Sequence, residues 1–189
     1  MPEHTTRPLT ADTWPDFAAL VEANNGVWGG CWCMGFHPKG PGWGTDPELN
    51  RAEKQERVGN GEAHAALVYD GDQCVGWCQF GVPDELPRIK NKRAYEADLE
   101  DLPDWRITCF FVGKGHRGQG VAAAALAGAL EEITRLGGGV VESYPDDVGE
   151  GLKISSSFLH NATLALFEQH GFERTRAIGK TRWVVRRVI

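Results

Sequence analysis

The chain has 189 residues, of which 41% are hydrophobic and 24% are charged, and its formal net charge is −6. This composition is typical of a folded domain, and the length predicts a single domain over residues 1–189. The sequence shows no apolar run of about 20 residues and no signal-peptide order at its start, and an acidic chain binds polyanions poorly. We therefore expect neither a membrane nor a nucleic acid as partner. The odd number of cysteines, five, predicts free thiols and a cytoplasmic location.

The first half of the chain predicts two helices and a hairpin. Thr13-Trp-Pro-Asp16 has the form of a capping box, and apolar residues recur behind it at helical spacing, which predicts a helix over residues 14–24. A second helix is expected to begin at Asp46-Pro47 and to end near residues 59–61. Residues 65–69 and 74–80 are apolar and flank an Asp-Gly-Asp turn, which predicts an antiparallel hairpin. Residues 25–44, between the helices, are an irregular loop rich in glycine and tryptophan.

The second half of the chain predicts one strand–helix–strand crossover. The expected elements are a strand over 106–112, a helix over 121–136, a strand over 140–144, a polar loop over 145–160, a helix capped by Asn161 and running to His170, and two strands within 172–189. Antiparallel pairs combined with one crossover predict the α+β class, a mixed α/β arrangement around one sheet.

A glycine-rich turn, Gly113-Lys-Gly-His-Arg-Gly-Gln-Gly120, joins the predicted strand 106–112 to the helix behind it. Backbone N–H groups at such a helix start attract anions, and Lys114, His116 and Arg117 add positive side-chain charge. Gly113-x-Gly115-x-x-Gly118 also fits the dinucleotide fingerprint, but too few strand–helix units follow it for a dinucleotide-binding fold. The turn therefore predicts a phosphate site of another kind.

Two segments carry a resemblance to a known family. Arg117-Gly-Gln-Gly120-Val-Ala122 resembles the acetyl-CoA signature of the GNAT superfamily of N-acetyltransferases, and Ala165-Leu-Phe-Glu-Gln-His-Gly171-Phe172 is similar to its C-terminal segment. Cys-Trp-Cys-Met34 and Val141-Glu-Ser-Tyr-Pro145 look like a particular bacterial branch. The resemblance implies one central mixed, mostly antiparallel sheet flanked by helices, with acetyl-CoA as co-substrate. It also implies a set of CoA-binding residues: Phe111, Val112, Arg117, Gly118, Gln119, Gly120, Val121 and Ala122.

Acetyl transfer to an amine requires a neutral amine, a donor for the oxyanion and a proton for the leaving thiolate. The resemblance implies that backbone N–H groups near Phe111 and Val112 polarise the thioester. In the family that the chain resembles, a tyrosine commonly serves as the general acid at the position where this chain has Phe167. Glu142 and Tyr144 share one face of a strand and are candidates for amine deprotonation and for hydrogen bonding near the thiol. Equally, Glu142 fits the role of a structural salt-bridge partner, and Tyr144 fits a position in the core. His160 and His170 could replace the missing tyrosine.

The sequence thus predicts an N-acetyltransferase that moves an acetyl group from acetyl-CoA to the primary amine of a small molecule through a tetrahedral intermediate. The sequence leaves open whether the protein forms a homodimer. Phe167 favours an alternative, a CoA-binding regulatory protein without transferase activity. A third hypothesis is a metal-binding module on Cys31, Cys33 and His37, whose fourth ligand would be Cys74 or Cys78. The basic residues within 88–93 either meet the 3′-phosphate of CoA or form a solvated run.

Overall fold

The computed structural model of the protein describes residues 4–40, 46–149 and 160–189. In chain order its elements are β1 (Thr5–Pro8), α1 (Trp14–Ala23), α2 (Pro47–Gly59), β2 (His64–Asp70), β3 (Gln73–Gly81), α3 (Lys92–Ala97), β4 (Trp105–Val112), α4 (Val121–Arg135), β5 (Val140–Ser143), α5 (Leu164–Gln169), β6 (Glu173–Ala177) and β7 (Trp183–Val188). Trp43, at the end of the glycine-rich loop, and most of the loop predicted over 145–160 lie outside the described residues.

One seven-stranded sheet, in the order β1-β2-β3-β4-β5-β7-β6, connects the two halves of the chain. The pair β4–β5 is parallel, and the other five neighbouring pairs are antiparallel. Helix α4 provides the right-handed type of crossover that a parallel pair requires. The predicted α+β class, with a central mixed, mostly antiparallel sheet flanked by helices, is confirmed.

Strands β4 and β5 diverge after a short shared stretch. They pair only from Trp105↔Val141 to Ile107↔Ser143, whereas β4 continues to Val112. Gln79 of β3 pairs with Cys109 and Phe80 with Ile107, so one residue of β4, Thr108, is a bulge. Beyond Ile107 the β5-facing edge of β4 pairs with none of the described strands, and we call the space beside it the cleft.

The two faces of the sheet carry separate apolar cores. Side chains of α1, of Val58 in α2 and of the loop behind α1 pack on one face with Leu67, Trp77 and Phe111. Side chains of α4 and α5 pack on the other face with Val68, Cys78 and Phe110. Within the described ranges, no helix has the length and apolarity that a membrane crossing needs.

The caps of three helices differ in part from the sequence-based expectation. The Thr13 hydroxyl donates to the Pro8 carbonyl (2.8 Å) and caps no N–H of α1, so the predicted capping box is wrong. Asp46 caps α2 as expected, accepting from the N–H groups of Glu48 and Leu49. Helix α5 begins at Leu164 behind the cap Thr163, because the Asn161 side chain, the predicted cap, donates to the Tyr144 carbonyl (3.0 Å).

Candidate active site

The turn between β4 and α4 forms an open cradle of backbone. Gly115, Gly118 and Gly120 have φ values of +98°, +75° and +85°, and a Cβ at any of the three would meet nothing within 4 Å. Gly120 is the N-cap of α4 and provides no side-chain cap, so none shields the first-turn N–H groups. The Gln119 amide braces the turn by donating to the Gly115 carbonyl (2.7 Å). This geometry suits an anion placed at the positive end of α4.

The three basic residues of this turn do not converge. Arg117 lines a cavity in front of α4. Lys114 and His116 instead line a separate groove against α1, where the His116 ring lies 3.8 Å from the Asp70 carboxylate. Only Arg117 therefore contributes the expected side-chain charge to the cradle.

The cavity beside Arg117 has a volume of about 320 Å³ and occupies the cleft between β4 and α5. Its described walls include Phe111 and Val112, Ala122 on α4 and Leu166 on α5. The Val121 side chain is buried in the core, so this residue can present only its backbone N–H to the cradle. An apolar channel that ends at an anion site suits a ligand with a long uncharged arm and a phosphate end.

The N–H groups of β4 are distributed between its two edges. The Phe110 N–H points across the cleft and donates to the His160 carbonyl (2.7 Å). Because successive N–H groups of a strand alternate, the Val112 N–H lies on the same open edge, whereas the Phe111 N–H faces β3. Of the two backbone donors expected near Phe111 and Val112, only the one at Val112 is placed to reach a ligand in the cleft.

A second, larger cavity of about 930 Å³ adjoins the first. Trp28 lines both cavities, and its ring meets the rings of Phe111 and His160 at centroid distances of 6.0 and 6.1 Å. Phe36 and Cys109 also line the larger cavity, and the Phe36 ring lies 5.7 Å from the His160 ring. The two cavities therefore meet at Trp28, with an imidazole at the junction.

Helix α2 holds the loop that forms this junction. The Asn50 amide donates to the Gly30 carbonyl (3.0 Å), and a Cβ at Gly30 would collide with the ring of Pro47. The loop also contains two pairs of consecutive non-glycine residues with positive φ, Val27-Trp28 and Trp32-Cys33. Each such residue costs on the order of 1 kcal/mol or more and persists only where surrounding contacts impose it. The contacts that hold the loop in this strained backbone conformation therefore also fix the position of Trp28.

A fully buried lysine, which the sequence reasoning missed, supports the same loop from α2. The Lys54 ammonium lies 2.9 Å from Nε2 of His37 and 3.3 Å from the amide oxygen of Gln79. Burial lowers the pKa of Lys54 and also that of His37. The stripe Asn50, Lys54 and Val58, spaced four residues apart, is the buried face of α2 and was the available sequence signal.

Glu142 and Tyr144, the predicted catalytic pair, lie in a closed network inside the core. The Tyr144 hydroxyl donates to one Glu142 oxygen and the Arg186 guanidinium donates to the other, both at 2.7 Å. Both predicted residues are 0% exposed, and neither is among the described residues that line the two cavities. Their surroundings match the structural interpretation, a bridge between β5 and β7. Neither residue is therefore placed to contact a ligand in these cavities.

The C-terminal segment supplies no hydroxyl to the cleft at the expected position. Phe167 is fully buried, and its ring packs against those of Phe110 (5.9 Å) and Phe172 (5.0 Å). His170 points away along α5, with its Nδ1 2.8 Å from the Leu166 carbonyl. Of the histidines proposed to replace the tyrosine, His160 is therefore the one that reaches a cavity.

The cysteines do not form a metal site. Cys31, Cys33 and Cys109 line the larger cavity, but His37 is held by Lys54, and Cys78 lies on the opposite face of the sheet. Within the described part of the chain, no three His, Cys, Asp or Glu side chains are arranged to hold a metal ion. Burial raises the pKa of Cys31 to about 12 and that of Cys109 well above its ordinary value, so both thiols stay protonated at neutral pH.

Comparisons with known proteins identify a family and several proteins of similar fold. A family model described as the acetyltransferase (GNAT) family matches residues 27–148, and no curated protein matches the sequence. A GNAT-family acetyltransferase from Streptococcus pneumoniae aligns with a TM-score of 0.53 at 12% identity, over 99% of each chain. The structure of histone acetyltransferase HPA2 and related acetyltransferase from Corynebacterium glutamicum gives 0.53 at 18%, covering 97% of this chain and 94% of that one. The Salmonella typhimurium protein yncA, solved with its cofactor acetyl-CoA, gives 0.51 at 16%, covering 98% and 92%. At these identities the likeness concerns the fold.

Proposed function

The chain belongs to the acetyltransferase (GNAT) family, and we propose that it is an N-acetyltransferase that moves the acetyl group of acetyl-CoA to the primary amine of a small molecule. In this proposal the 189 residues form one catalytic domain. The observation that carries it is the placement of two cavities beside the glycine turn: Arg117 and Ala122 of that region line the smaller cavity beside β4, and Trp28 is a wall of both the smaller and the larger cavity. A phosphate-bearing thioester fits the turn and the smaller cavity, and an acceptor fits the larger one.

The cradle and the cleft account for the CoA side of the reaction. Arg117 and the N–H groups of Gly118, Gln119, Gly120, Val121 and Ala122 would hold the pyrophosphate. The apolar walls at Phe111 and Leu166 would hold the pantetheine arm. The Val112 N–H, on the open edge of β4, would donate a hydrogen bond to the arm or to the thioester carbonyl. The thioester would then lie near Trp28, where the two cavities meet.

Direct attack by the amine fits the protonation states of the site. The amine nitrogen forms a bond to the thioester carbonyl carbon, the carbon–sulfur bond breaks, and the proton lost by nitrogen balances the proton gained by the thiolate. A cysteine relay would need a thiolate, but Cys31 and Cys109 stay protonated because burial raises the pKa of each. The acetyl group would therefore pass straight from sulfur to nitrogen.

We assign the proton transfer to His160. Its imidazole lines the larger cavity between the rings of Trp28 and Phe36, and among the described residues that line this cavity it is the one histidine. An imidazole at this position can take the proton from the amine and return it to the thiolate. Glu142 and Tyr144 keep a structural role in this proposal.

Two observations favour the alternative, a protein that binds CoA without transferring its acetyl group. Phe167 carries no acid group, and the Phe110 N–H is already bonded to the His160 carbonyl. The site would then keep its affinity for CoA and lack part of the machinery that activates the thioester.

Two measurements on the intact chain test these functions. Isothermal titration with acetyl-CoA should show binding that Arg117→Ala weakens, and a thiol-release assay over a panel of primary amines should show turnover with a subset. Binding without release for any amine would establish the alternative. Absence of binding would overturn both.

A further inference from the structure

The rim of the larger cavity is strongly basic. Lys39, Arg88, Lys90 and Lys92 line it, and none of its described lining residues is acidic. Its apolar lining residues include Trp28, Phe36 and Ile89. The chain as a whole carries a net charge of −6, so the side chains that line this rim are opposite in sign to the overall charge.

Two of these cations, Lys90 and Lys92, lie near described acidic side chains that neutralise them only in part. Lys90 faces Asp146 and Arg182, but the Asp146 carboxylate accepts from Arg182 (2.6 Å) and from the Thr181 hydroxyl (3.0 Å). Partial burial and the charge of Arg182 lower the pKa of Lys90, so this position disfavours its ammonium. Lys92 lies 3.5 Å from Glu96, a pair with both side chains more than half exposed, which screens the attraction. An anion bound beside Lys90 would favour its ammonium form.

The basic rim is separate from the residues proposed to bind the CoA pyrophosphate. None of its four cations is among the described residues that line the smaller cavity, where Arg117 lies. The rim therefore belongs to the acceptor side of Trp28. A simple cationic amine would be repelled there, whereas an amine that also carries an anionic group would be attracted.

We propose that the acceptor is an anionic amine: an apolar body with a primary amine at one end and a carboxylate or phosphate at the other, held by Lys39, Arg88, Lys90 and Lys92. This inference rests on the proposed function for the identity of the cavity as the acceptor site. The anionic group binds at the basic rim, the body packs on Trp28, Phe36 and Ile89, and the amine points to the junction beside His160.

Matched amine pairs test the proposal in the thiol-release assay. For the carboxylate, 4-(2-aminoethyl)benzoate is compared with phenethylamine, and for the phosphate, O-phosphoethanolamine is compared with ethanolamine. We expect kcat/KM to favour the anionic member of at least one pair by about tenfold at low salt. Because the rim is partly exposed, raising the salt from about 50 mM to about 500 mM should reduce that preference several-fold. Equal or reversed preference in both pairs at low salt would overturn the proposal.

Charge variants show whether the rim is responsible. Lys90→Gln should raise the KM of the preferred anionic amine about threefold, the effect of one partly exposed charge. The double variant with Lys90→Glu and Lys92→Glu should abolish or invert the preference. Arg93→Gln removes a charge from the same basic run but outside the cavity, and should leave the preference unchanged. Loss of preference in Arg93→Gln equal to that in Lys90→Gln would refute a local site.

Two further readouts separate this proposal from its rivals. If the rim bound the 3′-phosphate of CoA, Lys90→Glu would raise the KM of acetyl-CoA and leave that of dephospho-acetyl-CoA unchanged, a result that would overturn the proposal. If no amine is acetylated, the proposed function has failed, and titration of the anionic and neutral amines into the CoA-saturated protein still tests the rim. Tighter binding of the anionic member supports the anion site, and equal binding refutes it.

Discussion

Replacing Glu142 by glutamine separates its structural role from the catalytic role that the sequence predicted. The substitution keeps the shape and an acceptor for the Tyr144 hydroxyl, but removes the charge that faces Arg186 at 2.7 Å. Breaking a fully buried ion pair costs about 3–5 kcal/mol. The Arg186 side chain is 30% exposed and keeps its hydrogen bond to the Asp101 carbonyl, so its charge is not left fully buried and unpaired. We therefore expect a loss below that range, about 2 kcal/mol in the free energy of unfolding. In a domain of this size, that loss lowers Tm by roughly 4–8 °C.

Urea unfolding and steady-state kinetics together measure this effect. The urea midpoint should fall without a change in the slope, while kcat and its pH profile stay within about twofold of the original protein under conditions where the variant is folded. Arg186→Gln is the matched control, and the double variant should lose less stability than the two single losses added together, because the two side chains are coupled. A fall in kcat of about a hundredfold at unchanged stability would refute this reasoning and make Glu142 a base.

Three further predictions concern the cradle, the junction and the buried loop support. Gly120→Ala, at φ +85°, should raise the Kd of acetyl-CoA about tenfold in a titration, whereas Gly61→Ala, equally open at φ +72°, should leave it unchanged; equal effects would contradict a specific cradle. His160→Gln should lower kcat about a hundredfold at an unchanged Kd for acetyl-CoA, and His170→Gln should not; wild-type kcat in His160→Gln would remove the imidazole from the mechanism. Burial lowers the pKa of His37 in the folded state, so on acidification the imidazole is protonated in the unfolded state before it is protonated in the folded state. The free energy of unfolding therefore falls as the pH drops below about 6.5. Between pH 7.5 and 5.0 we expect His37 to lower the free energy of unfolding, measured with urea, by about 2 kcal/mol. The decrease for His37→Gln should be smaller by that amount, and an identical pH dependence of the two proteins would contradict the assignment.

The sequence was most informative where local chemistry determines the backbone. Periodicity and turn residues predicted α2, the β2–β3 hairpin, β4, the glycine turn and α4, and the structure contains each of them. Two short elements were missed. Strand β1 has four residues that include a proline and exists through pairing with β2, and α3 has six residues that enclose the buried Tyr95. Neither has a periodic pattern long enough to be read without its tertiary partner.

For the candidate site, the sequence located one local backbone feature, the glycine turn, but not the side chains that long-range contacts bring together. The backbone cradle could be found because glycine spacing and a helix start define it locally. The assignment to Glu142 and Tyr144 used the period of two, which says that the residues share a face but not what covers that face. Arg186, from a strand 44 residues later, covers it. Lys54 could be placed beside His37 and Gln79 only once the tertiary fold was known.

Trp28 forms a wall of both cavities, and this gives the two substrates a common thermodynamic link. The Trp28 side chain is 39% exposed and lies against both sites, so under the proposed function a ligand in either cavity would restrict its remaining rotational freedom. The loss of side-chain entropy weakens the binding of the first ligand, whereas the second ligand binds when Trp28 is already ordered. Linkage requires the effect to be equal in both directions, so CoA should tighten acceptor binding by the same factor by which the acceptor tightens CoA binding. Shortening Trp28 to alanine should make the two affinities independent.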